Sequence, residues 1–444
     1  MATAALLSAH HATVSGEEPW ACLVAGGISV LERQLRQARR VGAARTIVRV
    51  ERMPPGLAAL LTRLGDDVVV ARDGAALAVA LGDDDALLFA EGLVIDDRIV
   101  EAVMAAGEPA LAVWAGAQPA EAERIDATAF WGGVARLGNA VAGRALADLG
   151  EWDMQSTLLR AAAAETPARI DIAAMDDYAP ARRRRAPLLW LPLRTERDGV
   201  AASRALLAAA QKGCLDWPAR WLHPPVEDLL TRLLLPTRVT PNMVTVATGV
   251  LGLAAGIAFA TGWLWTGLVI ALIVGPLDGV DGKLARTRIE YSRWGDLEHV
   301  LDKIVEYGWY LCLASWFARS GDAGAWATAA LIVLFALAEA VQGEFFRRFT
   351  GRQLDDAGEF ERRFRLISGR RNTFLWTLVP FAASDAWFAG FVMIATYSVA
   401  TYFIMQARMF LRISEYGRSV APAIAANLDA TSYAFLSRPR PSAR

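Results

Sequence analysis

Asp278-Gly279-Val280-Asp281-Gly282-Lys283-Leu284-Ala285-Arg286 closes a long apolar run and brings two carboxylates to its end. Asp278 and Asp281 are three residues apart, so a helix puts both on one face. A lone aspartate at the end of a membrane helix is ordinarily just solvated. Two of them, with two glycines and an arginine, point to a site, since carboxylates there are costly unless they serve something. A hard divalent cation is the natural partner, because Mg2+ prefers one or two carboxylates together with substrate phosphates. Gly279 and Gly282 lack side chains, which would let a nucleotide approach the backbone. Across the next turn come Gly295, Glu298, His299 and Asp302. Glu298 and Asp302 are four apart and also share a face. Four carboxylates around one small volume repel strongly unless cations neutralise them.

Outward from that stretch, six apolar segments follow one another, at about 243–262, 264–285, 296–318, 324–345, 372–384 and 386–411. A bilayer core takes roughly 20 mostly apolar residues per helix, so only the fifth is short. Periodicity alone does not separate a lipid-facing helix from a buried soluble one; six in succession favour a membrane domain. Arginine placement sets its orientation. Arg286, Arg288 and Arg293 lie between the second and third segments, a run from Arg347 to Arg371 lies between the fourth and fifth, and Arg408, Arg412 and Arg418 come at the end. The alternate turns carry at most Arg319. Both termini and the arginine-bearing loops are therefore expected in the cytoplasm, in a multi-pass protein of the cell (inner) membrane.

The chain has 444 residues, 54% of them hydrophobic, and a mean hydropathy of +0.28. That length allows two or three domains. The long apolar runs begin only near Met243, which divides the chain into an α/β domain over 1–212, a juxtamembrane segment over 213–242, a membrane domain over 243–415 and a tail over 416–444. Within the juxtamembrane segment, Val226 to Leu235 has the mix of a short amphipathic helix lying at a membrane surface. Thr240-Pro241-Asn242 stops it and starts the next helix. A net charge of −1 lacks the basic signature of nucleic-acid binding. Cys22, Cys214 and Cys312 are too far apart for a disulfide framework or a zinc spacing. Met1 to Glu18 shows no basic stretch, apolar core and cleavage site, so no cleaved signal peptide is expected.

Upstream, short apolar runs alternate with helical patterns. Ala21 to Ala25 reads as a first strand, Val30 to Val41 as a helix, Thr46 to Val50 as a strand, Gly56 to Leu64 as a helix, and Val68 to Val70 as a strand. Ala86 to Ala90 reads as another strand, followed by a helix over Asp97 to Ala106. This alternation indicates a parallel α/β sheet.

The stretch from Asp278 onward resembles the CDP-alcohol phosphatidyltransferase signature, D-x2-D-G-x2-A-R-x8-G-x3-D-x3-D. Asp278, Asp281, Gly282, Ala285, Arg286 and Gly295 match it in identity and spacing. Thr240-Pro241-Asn242-Met243-Val244-Thr245 is similar to that family's T-P-N-x2-T entry to its first membrane helix, and the resemblance covers roughly residues 213–415. The second half departs from the pattern, with His299 and Lys303 at the third and fourth acidic positions. A one-residue deletion brings Glu298 and Asp302 there instead. Keeping the register makes His299 a ligand or base, and a third reading is an impaired site.

The resemblance implies an enzyme that moves a phospho-alcohol group from a CDP-alcohol donor to the hydroxyl of an alcohol or phospho-alcohol acceptor, with CMP leaving. It implies Asp278, Asp281 and either Glu298 or His299 as holders of Mg2+ or Mn2+, and Asp302 as acceptor of the hydroxyl proton. Gly282, Ala285, Arg286 and Gly295 would line the cytidine and phosphate pocket, with Asn242 and Thr245 nearby. Membrane lipids would surround a homodimer. Arg370-Arg371 is either topological charge or a clamp for a phosphorylated acceptor or anionic head group. Arg182 to Arg185 reads as a solvated or lipid-surface run. Two other classes stand beside the enzyme: a non-catalytic membrane scaffold and an ion-coupled transporter, which would set its carboxylates near the midplane and often shows repeat symmetry.

In the first domain, Leu23-Val24-Ala25-Gly26-Gly27 and the following Val30 to Leu35 resemble the start of a sugar-phosphate nucleotidyltransferase. Phe89 to Asp96 is similar to that family's metal-binding strand end, with Glu91 where aspartate is usual. Some enzymes fuse such a domain to a CDP-alcohol transferase, for instance in making di-inositol phosphate compounds. The family's glycine-rich loop, activating arginine and lysine lie between its first strand and first helix. Here only Gly27, Ile28 and Ser29 would separate the two, which leaves little to cradle a triphosphate and predicts a non-catalytic domain.

Overall fold

The computed structural model describes residues 2–13, 16, 18–65, 68–116, 121–291 and 295–416, with the backbone alone at 295–299 and 416. Two compact units share them. One is built from the chain up to Ala179 with Arg185–Gln211 and Thr287–Glu290; the other from Pro180–Arg184, Lys212–Arg286 and the chain from Tyr291 onward.

In the first unit, β1 (Thr3–Ala9), β2 (Arg45–Val50), β3 (Val68–Ala71), β4 (Asp85–Phe89), β5 (Ala110–Ala115), β6 (Ala129–Leu137) and β7 (Ala168–Asp171) form one sheet. Its order is β7-β5-β6-β4-β1-β2-β3. All neighbouring pairs are parallel except those of β6, which runs antiparallel to both β4 and β5. The sheet is therefore mixed rather than wholly parallel. Helices α1 (Val30–Arg40), α2 (Pro55–Leu64), α3 (Gly74–Leu81), α4 (Asp97–Ala105), α5 (Asn139–Ala147), α6 (Met154–Ala164) and α7 (Glu196–Ala210) accompany it. Successive strand residues face opposite ways. Leu7 packs on one side with Leu31, Val48 and Phe89, while Leu6 packs on the other with Ile47, Leu77 and Leu88.

Two strand expectations change here. The stretch from Ala21 holds a 3-10 turn, Trp20–Cys22, and only the two-residue strand Val24–Ala25. The first strand of the sheet is β1, every residue of which is buried. A central parallel strand is covered on both faces and reads as a continuous small-apolar run, without the alternation that marks a half-buried strand.

The second unit is helical: α8 (His223–Leu234), α9 (Pro241–Ala260), α10 (Leu264–Arg288), α11 (Gly295–Arg319), α12 (Ala325–Thr350), α13 (Glu359–Phe364), α14 (Arg371–Ala383) and α15 (Trp387–Tyr416). Thr240 caps α9 by accepting from the Met243 N–H, and Pro241 occupies its first turn, where a missing N–H costs nothing. The core gathers Phe259, Leu268, Trp309, Tyr310, Leu313, Phe374 and Phe391. Trp309 donates its indole N–H to the Gly252 carbonyl at 2.7 Å, joining α11 to α9.

Helices stand at all six places expected from the apolar segments, but among the described residues four are long and apolar enough to cross a membrane: α9, α10, α12 and α15. The helix α14 has 13 residues, and α11 carries Asp302, Lys303 and Glu306 in its first half. The long helices also present apolar side chains outward. Val246, Val250, Leu253 and Ile257 of α9 are each more than 60% exposed, a stripe too large for a water-facing surface. In α8 the polarity is inverted: Val226, Leu229 and Leu233 point out while Glu227 and Thr231 are buried. That is the arrangement of a helix whose apolar face meets lipid and whose polar face meets protein.

Candidate active site

The signature residues occupy the last three turns of α10. Asp281 is fixed by α9, whose Thr245 hydroxyl donates to Oδ2 at 2.7 Å. Thr245 and Asp281 were expected near one another only through the resemblance; the crossing of α9 and α10 brings them into contact. Asp278 accepts from the Arg371 guanidinium at 2.7 Å. Arg371 opens α14, where the helix dipole disfavours a cation, so its place depends on the carboxylate facing it. Asp302 of α11 comes within hydrogen-bonding reach of Asp278 and within electrostatic reach of Asp281 and Arg371. Asp278, Asp302 and Arg371 thus come together from three helices, with Asp281 within electrostatic reach.

The two glycines of the signature have different reasons. A Cβ on Gly279 would lie 2.4 Å from Glu227 Oε1, so that glycine admits the α8 carboxylate rather than a nucleotide. A Cβ on Gly282 would lie 2.8 Å from an Arg286 nitrogen, so the guanidinium of Arg286 rests over the backbone there. Next after Gly282, Lys283, 1% exposed, bonds Glu227 at 2.9 Å and Asp228 at 2.6 Å. The signature helix is thereby latched to α8. Burial pushes the Glu227 carboxyl up and Lys283 pulls it back.

Other expected residues stand further off. Asn242 is exposed in the first turn of α9. Arg370 pairs with Glu339 at 2.8 Å, so it and Arg371 are both engaged within the protein. Gly295 opens α11, and the side chains of Glu298 and His299 lie outside the described residues. Reasoning from sequence passed over Lys212, whose ammonium lies within electrostatic reach of Asp278, Asp281 and Arg286. Burial pushes it below the ordinary lysine range, and Arg286 and Arg183 add to the shift. A signal for it was available: this arginine-rich chain has three lysines, Lys212, Lys283 and Lys303, and all three fall in the second unit.

The donors at the site are hard carboxylate oxygens, the type Mg2+ and Mn2+ take. Asp278 and Asp302 in mutual contact need a shared proton or a cation between them. Asp278 and Asp302 fit a divalent ion as a pair of hard donors; among the described residues no three acidic, histidine or cysteine side chains form a metal-holding group.

The first unit carries a second place of interest. Twenty residues, 10–29, separate β1 from α1, so the loop expected to be missing is present. It contains no arginine and no lysine. Glu91 follows β4 and is buried, and its carboxylate accepts from the backbone N–H groups of His10 and His11 at 2.9 and 3.1 Å. His11 Nδ1 adds a third contact at 2.8 Å. That hydrogen bond raises the His11 pKa. The His11 ring stacks on Trp20, and Arg194 lies 3.7 Å over the other ring system of the stack, that of Trp20.

Comparison with known proteins bears on the second unit. Residues 238–351 match the model of the CDP-alcohol phosphatidyltransferase family. A bifunctional IPC transferase and DIPP synthase of Aquifex aeolicus is 28% identical over 46% of this chain and 47% of its own length. The chain spans about half the length of the first curated relatives it matches. The inner membrane protein YnjF of Escherichia coli is 30% identical over 34% of this chain and 73% of that protein. Among solved structures, the inositol-1-phosphate CTP transferase of T. maritima aligns with 44% of this chain and 90% of its own at 15% identity, and the TM-score of 0.33 is too low to build on. With the signature on α10 and the match that begins just ahead of α9, the helical part of this chain belongs to the CDP-alcohol phosphatidyltransferase family.

Proposed function

We propose that the helical unit catalyses metal-dependent transfer of a phospho-alcohol group from a CDP-alcohol to an acceptor hydroxyl, releasing CMP. The single observation that supports this reading is Asp302 of α11 facing Asp278 of the signature on α10, which Arg371 also engages. The acceptor oxygen attacks the β-phosphorus, the bond from that phosphorus to the CMP oxygen breaks, and CMP leaves with the electron pair. Asp302 takes the proton of the attacking hydroxyl. Arg286, lying over Gly282, faces the diphosphate, and Thr245 keeps Asp281 in one rotamer. Most of the protein's work is positioning and charge neutralisation. Asp278 and Asp281, with Glu298 or His299 completing the set, would hold Mg2+ or Mn2+, which supplies Lewis-acid neutralisation of the diphosphate oxygens.

The names of the relatives support a substrate class. A synthase whose name joins an IPC transferase with a DIPP synthase favours an inositol-phosphate type of acceptor or donor, in phospholipid or inositol-phosphate synthesis. Six helices embedded in the cell membrane, the first domain and the active site on the cytoplasmic side, and a homodimeric assembly complete the proposal. The first unit is read as non-catalytic, because its β1–α1 loop has no cation for a triphosphate. The test is CMP formation by the full chain in lipid vesicles supplied with CDP-alcohols, with and without Mn2+. Metal-dependent CMP release supports the enzyme; no release with any donor and acceptor pair leaves a membrane scaffold.

A further inference from the structure

We propose that Arg182 and Lys212 form a subsite for a phosphate monoester, the anionic end of a phosphorylated acceptor. This rests on the transfer reaction above and deepens it. The run Arg182 to Arg185 reads in sequence as solvated charge, yet Pro180–Arg184 packs as part of the helical unit. Arg183, at a left-handed φ of 52°, anchors it by giving Nη1 to both carboxylate oxygens of Asp355, each at 2.9 Å. The Gly213 N–H donates to the Arg182 carbonyl at 2.7 Å. A Cβ on Gly213 would sit 2.6 Å from the Arg183 carbonyl oxygen, so the run and the Lys212–Gly213 backbone touch without a gap.

That anchoring engages Arg183 with Asp355, while Arg182 and Lys212 stand beside it. Arg182 Nη1 is buried with no hydrogen-bond partner. The Lys212 ammonium has no hydrogen bond or ion pair among the described residues, while Arg286 lies within electrostatic reach of both. Three cations drawn together are mutually repulsive, and an anion among them relieves that repulsion. A doubly charged phosphate monoester offers three strong acceptor oxygens, and a guanidinium plus an ammonium suits it better than one carboxylate. Lys212 also reaches Asp278 and Asp281, so the subsite borders the reacting centre. A phosphate held there places the hydroxyl of the same molecule beside Asp302.

The experiment uses the full chain in nanodiscs, with inositol 1-phosphate and glycerol 3-phosphate each compared with its unphosphorylated alcohol. In Arg182→Gln and Lys212→Gln the KM for the phosphorylated acceptor should rise about tenfold or more, with the donor KM unmoved and partial rescue by Arg182→Lys. A rise in donor KM instead assigns the cations to the diphosphate and overturns the subsite. On the unaltered protein, inorganic phosphate should raise the unfolding midpoint and compete with the phosphorylated acceptor but not with the CDP-alcohol. Absence of that competition overturns the proposal whatever the variants do. A response that needs phosphatidate in the disc and ignores soluble phosphate assigns the pocket to a lipid head group, and overturns it too. If the unaltered protein releases no CMP, the reaction is wrong, and the midpoint shift with phosphate, kept or lost in Arg182→Gln, decides the subsite by itself.

Discussion

Two carboxylate centres in this molecule occupy places where a resemblance puts a metal, and they are built in opposite ways. Glu91 in the first unit is saturated: two backbone N–H groups and the His11 ring use its oxygens. Asp278 and Asp302 in the helical unit face each other, with one guanidinium for the pair. The first arrangement holds a loop in place and asks for nothing. The second is left with excess negative charge that a cation relieves. Sequence likeness marks both positions; the donors around each carboxylate separate a strut from a site.

The contrast is exposed most sharply by Asp281→Ala. CMP release at saturating Mn2+ should fall by about 10^3-fold or more, the scale of losing the charge neutralisation at a diphosphate. A fall of less than tenfold would break the comparison, because Asp281 would then be as structural as Glu91. Next in size is Asp302→Asn, for which a loss of about 10^2-fold is expected from removal of a proton acceptor, with the donor KM little changed. Measured against pH, the residual activity should lose its acidic limb.

Glu91→Gln should leave CMP release alone and lower the stability of the first unit by about 1–3 kcal/mol, because buried N–H groups lose a charged acceptor. Chemical denaturation followed by the fluorescence of Trp20 and its neighbours would read this. The smallest effect is a pH dependence. His11 has its pKa raised above the ordinary value by Glu91, so the stabilisation is complete below the unfolded value near 6.5 and is lost as pH rises through the folded value. At 41% side-chain exposure the change should stay under about 1 kcal/mol between pH 6 and pH 8, and should vanish in His11→Gln.

Helix faces were legible because the period is local. Spacing of three placed Asp278 and Asp281 together, and capping chemistry put the start of α9 at Thr240-Pro241. Strand β1 was not legible, since Thr3-Ala4-Ala5-Leu6-Leu7-Ser8-Ala9 has no β-branched residue after Thr3 and no alternation, and becomes a strand only through its neighbours on both sides. Contacts across long sequence distances were hidden for the same reason. Arg371 and Asp278 are 93 residues apart, and nothing near either residue announces the other. Gly279 was misread because a glycine records only that space is needed, not what fills it; here the occupant is Glu227 from another helix.

The latch between α8 and α10 has a consequence for where this fold begins. The family match starts at residue 238, after α8 has ended. A chain cut there would leave the Lys283 ammonium with neither Glu227 nor Asp228 to meet it. It would also open a trough beside Gly279 along the very helix that bears the carboxylates. The smallest piece able to stand alone thus starts upstream of His223, and α8 is a packed partner of the signature helix rather than a tether leading to it.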